Sequence, residues 1–175
     1  MEARWHGDGY PFGECKLMLL TKRLMMGRHA PPMPLDKARF WRVLANETSW
    51  DLANGPFFME FAQLELYETD TGSNLALGKT AVASSRYALA HGADKAVDGS
   101  MSTVWQTEAA STPQWIYVDV ESEVNLSRVV IKHRSHLPGR IAKSIIVQKS
   151  NDASYWFDVA VFATDSVTTT REFNL

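Results

Sequence analysis

The chain is almost without cysteine, has no long apolar run and carries little net charge. Cys15 is the only cysteine among 175 residues, so no disulfide can form within the chain and the fold must stand on packing. No stretch reaches the roughly 18 consecutive apolar residues of a membrane-spanning helix, so membrane insertion is not expected. Lys and Arg number 18 against 20 Asp and Glu, a formal net charge of −2, which gives no electrostatic attraction toward nucleic acid or an anionic membrane surface. A secretion signal is not expected either. Met1 to Pro11 carries Glu2 and Asp8, and the apolar run Leu17-Met18-Leu19-Leu20 is broken at once by Thr21-Lys22-Arg23. The expectation is a protein made in a cytoplasm and kept there or released by lysis. The chain is 45% hydrophobic and has six tryptophans. That is enough for one packed domain, or one domain with an appendage.

Residues 1–36 differ from the rest. Across Glu14–His29, apolar residues at 17, 20, 24 and 25 recur at helical spacing with basic residues between them, and Gly27 lies near the end. The pattern predicts a short amphipathic helix. It either packs on its own domain or serves as a docking arm whose methionines adapt to a partner surface. Ala30-Pro31-Pro32-Met33-Pro34 forbids regular structure and reads as a stiff linker.

From residue 38 onward the pattern is short strands. Phe40–Leu44 is the first, followed by a long turn at 46–56. In Phe61–Tyr67, Phe61, Gln63, Glu65 and Tyr67 alternate with Ala62, Leu64 and Leu66, the period-two signature of a half-buried strand. Further strands are expected at 80–85, 115–120, 125–133, 144–150, 156–162 and 171–175, punctuated by turn residues such as Asp98-Gly99, Pro138-Gly139 and Asn151-Asp152. Eight strands with almost no helix imply an all-β fold, an antiparallel β-sandwich or jelly roll. Trp41, Trp105, Trp115 and Trp156 each fall in or beside a strand and are expected to fill the space between the sheets.

Several motifs carry a resemblance. Asn74-Leu75-Ala76-Leu77-Gly78-Lys79-Thr80-Ala81-Val82-Ala83-Ser84-Ser85 is followed by Lys95–Trp105, Pro113–Val120, Ser127–Ile131 and Val147–Trp156. In order and spacing these resemble the discoidin, or coagulation-factor type C, family, which includes the sugar-binding module of galactose oxidase. Members of that family normally end in strands resembling Arg-Phe-Trp-Arg-Val and Ala-Glu-Leu-Glu-Leu-Tyr. Here the equivalents, Arg39–Val43 and Ala62–Tyr67, precede the body, which stops at Phe173-Asn174-Leu175. Two explanations compete. A circular permutation would let 38–67 complete the sandwich of 75–175, with Glu68–Ser73 joining the family's usual termini. Alternatively, 38–67 is the relic of a preceding domain, and another chain completes the edge by strand exchange. Permutation is favoured, because so short a fragment cannot make a core of its own. The expected organisation is an arm and linker over 1–36 and a discoidin-like sandwich over 37–175.

Two loop regions are candidate sites. Asp98–Thr103 concentrates a carboxylate, a turn glycine and hydroxyls, the oxygen chemistry a hard cation requires. The alternative is a metal-free turn in which Asp98 caps backbone amides. The resemblance implies a structural calcium (Ca2+) there, held by the Asp98 carboxylate, the carbonyls of Lys95, Ser100 and Thr103 with the Thr103 hydroxyl, the Ala62 carbonyl, and the side chain at Gln63. The family usually places a glutamate at that last position, so one negative charge is missing. For a sugar, an aromatic face and planar donors are needed. The resemblance places them on loops at one end of the sandwich, here Arg86–His91 and His133–Arg140, giving Tyr87, His91, His133, Arg134 and Arg140 as ligand-binding candidates. Ordinary solvated loop residues are the alternative for each.

No Gly-x-Ser-x-Gly, Walker-type or zincin motif occurs, Cys15 has no plausible structured base beside it, and carboxylate pairs such as Asp119 with Glu121 lie near strand ends, where solvation is ordinary. The chain is expected to be non-catalytic. The first functional reading is a carbohydrate-binding module engaging cell-surface glycans. The second is a structural virion or assembly protein using the sandwich as adaptor or spacer. The Arg-Phe-Trp-Arg-Val strand and the Glu-Leu-Tyr-Glu-Thr connector (Glu65–Thr69) resemble segments of bacteriophage tail and virion proteins. A virion location is therefore expected, with other virion proteins docked through 1–36 and the chain acting as a homo-oligomer or part of a larger assembly. A membrane-lipid binder would need exposed apolar loop spikes, for which Leu89 and Leu137 are thin evidence.

Overall fold

The computed structural model describes residues 36–48, 58–108, 113–134, 140–164 and 168–175. These lie within one unit, Pro32–Leu175, and the expected helix at 14–29 falls outside the described residues. Ten strands are present among those described: β1 (Ala38–Thr48), β2 (Glu60–Phe61), β3 (Gln63–Tyr67), β4 (Thr80–Ala83), β5 (Trp105–Gln106), β6 (Gln114–Val124), β7 (Arg128–Lys132), β8 (Ala142–Ser150), β9 (Phe157–Ala163) and β10 (Thr170–Asn174). Two 3-10 turns, Leu89–His91 and Ala93–Ala96, lie between β4 and β5.

The strands form an antiparallel sandwich. One sheet has the order β4-β6-β1-β8-β9, the facing sheet the order β10-β7-β3, and β2 pairs with β5. Thus β1 lies in the middle of the larger sheet, with Arg42 opposite Tyr117 on one side and Gln148 on the other. In the smaller sheet β3 lies beside β7, pairing Leu64 with Ile131 and Leu66 with Val129. The connector after β3 turns back at once. The Leu75 amide donates to the Leu66 carbonyl at 2.8 Å, and Asn74 Oδ1 accepts from the amides of Leu66 and Ala76 at 3.1 and 2.9 Å.

Alternation places Trp41, Val43 and Ala45 of β1, Ile116, Val118 and Val120 of β6, and Ile145 and Val147 of β8 in the core. Leu64, Leu66, Val129, Ile131 and Phe173 of the smaller sheet join them there. Apolar burial of this kind is the main favourable term in folding. The alternation expected across Phe61–Tyr67 shifts at Ala62. Phe61, Leu64 and Leu66 all belong to the core, because the chain changes partner at that point. Phe61 pairs with Trp105 of β5, and the Ala62 amide then bonds the Lys132 carbonyl at 2.7 Å as β3 begins beside β7.

The four tryptophans expected between the sheets divide into two pairs. Trp41 and Trp105 are fully buried between the layers, as expected. Trp115 and Trp156 are not core residues. Trp115 lies at an outward position of β6, where Gln114 and Ile116 take the buried positions. The Arg42 guanidinium packs over the Trp156 ring at 4.1 Å and lies 5.7 Å from the Trp115 ring centroid. Its Nε donates to Gln148 Oε1 at 2.6 Å. These rings shield a cation on the outer face of the larger sheet, an amphipathic use of aromatic side chains.

Candidate functional site

Of the five residues expected to bind ligand, His133, Arg134 and Arg140 gather around Glu60, and Tyr87 and His91 are linked to them through Phe58. Glu60, at the start of β2, is 1% exposed. Arg134 grips it in bidentate fashion, Nε to Oε1 at 2.8 Å and a terminal nitrogen to Oε2 at 2.6 Å. Arg140 donates to the same Oε2 at 3.1 Å and to Gln106 Oε1 at 3.0 Å. Strand pairing explains the meeting, since Glu60 and Gln106 face each other across β2 and β5. A buried carboxylate needs this company: an unpaired one would carry a desolvation cost of several kcal/mol. The Glu60 carboxylate in turn raises the Arg134 guanidinium above its ordinary range.

His133 stands behind this pair rather than in the open. It is 4% exposed, packs edge-on to Phe61, and its Nδ1 lies 2.6 Å from the Glu60 carbonyl. A carbonyl only accepts, so Nδ1 carries the proton. Burial is the dominant influence on the ring and pushes its pKa from 6.5 down to about 4, against the Glu60 carbonyl and carboxylate, which pull the other way. Between those values the unfolded chain binds a proton that the folded chain refuses. Stability is therefore expected to fall as pH drops from about 6.5 to 4, by up to about 3 kcal/mol. Urea midpoints at both ends of this range measure the loss, and His133→Asn, which keeps a donor for the Glu60 carbonyl, is expected to remove most of it.

The exposed part of the site is aromatic and cationic. Tyr87 is 58% exposed and meets Phe58 edge-on, with ring centroids 5.7 Å apart. Phe58 in turn lies 5.3 Å from the Arg140 guanidinium, and His91 is 6.0 Å from Tyr87. The loop carrying Tyr87 is pinned. The Tyr87 amide donates to the Gln106 carbonyl at 2.8 Å, Trp105 Nε1 donates to the Ser85 carbonyl at 2.9 Å, and the Ser84 and Ser85 hydroxyls donate to Gln114 Oε1 at 2.6 and 2.8 Å. Arg140 Nε and His91 Nδ1 are buried atoms without a hydrogen-bond partner among the described residues. Such atoms are uncommon, and an ordered internal water is the usual partner for them. An open depression of about 390 Å³ lies alongside, lined by residues including Val82, Ser85, Arg86 and Asp94. It has no aromatic lining, so the Tyr87–Arg140 surface is the better match to sugar chemistry.

The residues of the other candidate region also come together. Gln63 reaches Asp98 and Ser100, and the Thr103 hydroxyl reaches Asp98. Lys95 sits in the neighbouring 3-10 turn, with its ammonium 3.0 Å from Asp94. Ala62 lies fully buried beside Gln63 in the chain.

Sequence reading missed Glu60, Gln106 and Phe58. One signal for Glu60 was available: an acid embedded in Phe57-Phe58-Met59-Glu60-Phe61-Ala62 will be buried by its neighbours and must find a cation.

Residues 95–175 match the family model described as a NedA-like, galactose-binding domain. The match supports a discoidin-like sandwich and, with it, a carbohydrate-binding role. The match covers His133, Arg134, Arg140 and the 98–103 loop, and begins after Glu60, Tyr87 and His91. Among curated proteins no relative matches the chain.

Proposed function

We propose that the protein is a non-catalytic carbohydrate-binding module whose site is the surface formed by Tyr87, His91, Phe58 and Arg140. The observation that carries this reading is an exposed phenol ring packed against Phe58, which also lies 5.3 Å from a guanidinium held in place by the buried Glu60. A pyranose offers C–H groups on one face and hydroxyls on its rim. Tyr87 supplies the apolar face, and Arg140 and His91 supply donors and acceptors. Arg134 is bound to Glu60 through both oxygens and serves to position the carboxylate. His133 supports it from behind.

A glycan array that includes galactose-terminated oligosaccharides is the test. Tyr87→Ala should leave the fold intact, because the ring is mostly exposed, and should weaken binding about tenfold, the loss of one good stacking contact. A blank array with a folded protein would favour the spacer or adaptor role instead. Under the same reading, the strand order is a circular permutation of the family's, a view supported by the neighbours of β1 and β3. The finer proposal places this head on a bacteriophage virion, with 1–36 as the docking arm, and rests on the resemblance of Arg39–Val43 and Glu65–Thr69 to virion proteins. Recovery of the chain with sedimented particles, rather than as free protein in a lysate, would support it.

A further inference from the structure

We propose that the Gln63 side-chain amide occupies the place of a cation in the Asp98–Thr103 loop, so that this sandwich closes the loop without calcium. Gln63 is almost wholly buried. Its Nε2 donates to Asp98 Oδ1 at 3.2 Å and to the Ser100 carbonyl at 3.0 Å. Its Oε1 accepts from the Gly99 amide at 3.1 Å. That third bond fixes the amide's orientation, since the flipped group would set an N–H against the Gly99 N–H. Gly99 adopts φ +80°, a conformation that turns its amide toward Gln63 and that suits glycine.

The Asp98 carboxylate and the Ser100 carbonyl accept further donors. The Thr103 hydroxyl lies 2.7 Å from Asp98 Oδ2 and 3.1 Å from the Ser100 carbonyl, and the Ser100 amide donates to Asp98 Oδ1 at 2.8 Å. Burial alone would raise the Asp98 carboxyl, but the Thr103, Ser100 and Gln63 donors outweigh it and hold the group below its usual range. A hard cation needs six to eight oxygens with lone pairs turned inward and favours several negative charges. This loop offers one carboxylate, and its oxygens already accept N–H and O–H donors. Among the described residues no group of three or more His, Cys, Asp or Glu is placed to hold a metal. The donor set does not fit calcium. It fits an amide whose two N–H groups bridge the two oxygens that a cation would otherwise bridge.

The reverse substitution makes the idea testable. Gln63→Glu would replace the Nε2 donor with a carboxylate oxygen set against the Asp98 carboxylate and the Ser100 carbonyl, a repulsion that a bound cation would relieve. Melting temperatures of the full chain are compared in excess chelator and in calcium at about 1 mM, the range of weak extracellular sites. The wild type is expected to melt at the same temperature in both. Gln63→Glu is expected to melt lower than wild type in chelator and to recover by about 5–10 °C in calcium that saturates the site. Gln63→Met, which keeps the length but has no amide, should be lowered equally in both. A wild-type rise of several degrees in calcium would overturn the proposal, whether or not the Glu variant folds. So would a Gln63→Glu protein that folds and ignores calcium.

Discussion

Removing residues 38–48 is expected to abolish cooperative folding altogether. β1 is bonded on both sides, to β6 from Ala38 to Ala45 and to β8 from Phe40 to Thr48. Its loss would split the larger sheet and expose the inner faces of two strands at once. A milder version of the same test is Trp41→Ala. The indole is 1% exposed and its Nε1 donates to the Ala38 carbonyl at 3.0 Å. Deleting a buried tryptophan costs about 3–5 kcal/mol, out of a total stability of about 5–15 kcal/mol for a typical domain. At about 2–4 °C per kcal/mol for a domain of this size, the melting point should fall by roughly 10 °C. A chain of 68–175 that melts cooperatively at the wild-type temperature would contradict this view of β1 and β3.

Breaking the Glu60 cluster is expected to have the second largest effect. Glu60→Ala leaves two guanidinium groups beside a buried cavity with no counter-charge. Loss of one member of a buried, hydrogen-bonded ion cluster costs about 3–5 kcal/mol. The penalty arises from the cations left behind as much as from the missing bonds, and a double-mutant cycle can separate the two. Arg134→Ala should be strongly destabilising in the wild type and nearly neutral in the Glu60→Ala background, because the group it serves is gone. Sugar binding should fall as well, since Arg140 would lose the contact that aims it past Phe58. Additive losses in the cycle would mean that Arg134 and Glu60 do not act together.

Much of the fold was legible in the sequence because the strands alternate. Ile116, Val118 and Val120 against Tyr117 and Asp119 announce a half-buried strand wherever its partners lie. The exceptions have physical reasons. Trp115 and Trp156 read as core because large rings usually are, whereas here they cover Arg42 on the outer face. The phase shift at Ala62 follows from a change of partner strand, and β5 is two residues long, too short for any periodicity. For the site, the family resemblance together with residue chemistry gave Tyr87, His91, His133, Arg134 and Arg140 as candidates. They did not reveal that Arg134 and His133 face inward. Their partner Glu60 is more than seventy residues away in sequence, and no local pattern records a pairing at that range.

The most direct test of a glycan site at the Glu60 end of the sandwich is an NMR titration of the full chain with a galactose-terminated oligosaccharide. The account predicts that the resonances that move belong to Tyr87, His91, Gln106, Arg134 and Arg140, including the Arg140 Nε–H. Saturable shifts confined to the outer face around Arg42, Trp115 and Trp156, with Tyr87 and Arg140 unmoved, would contradict it.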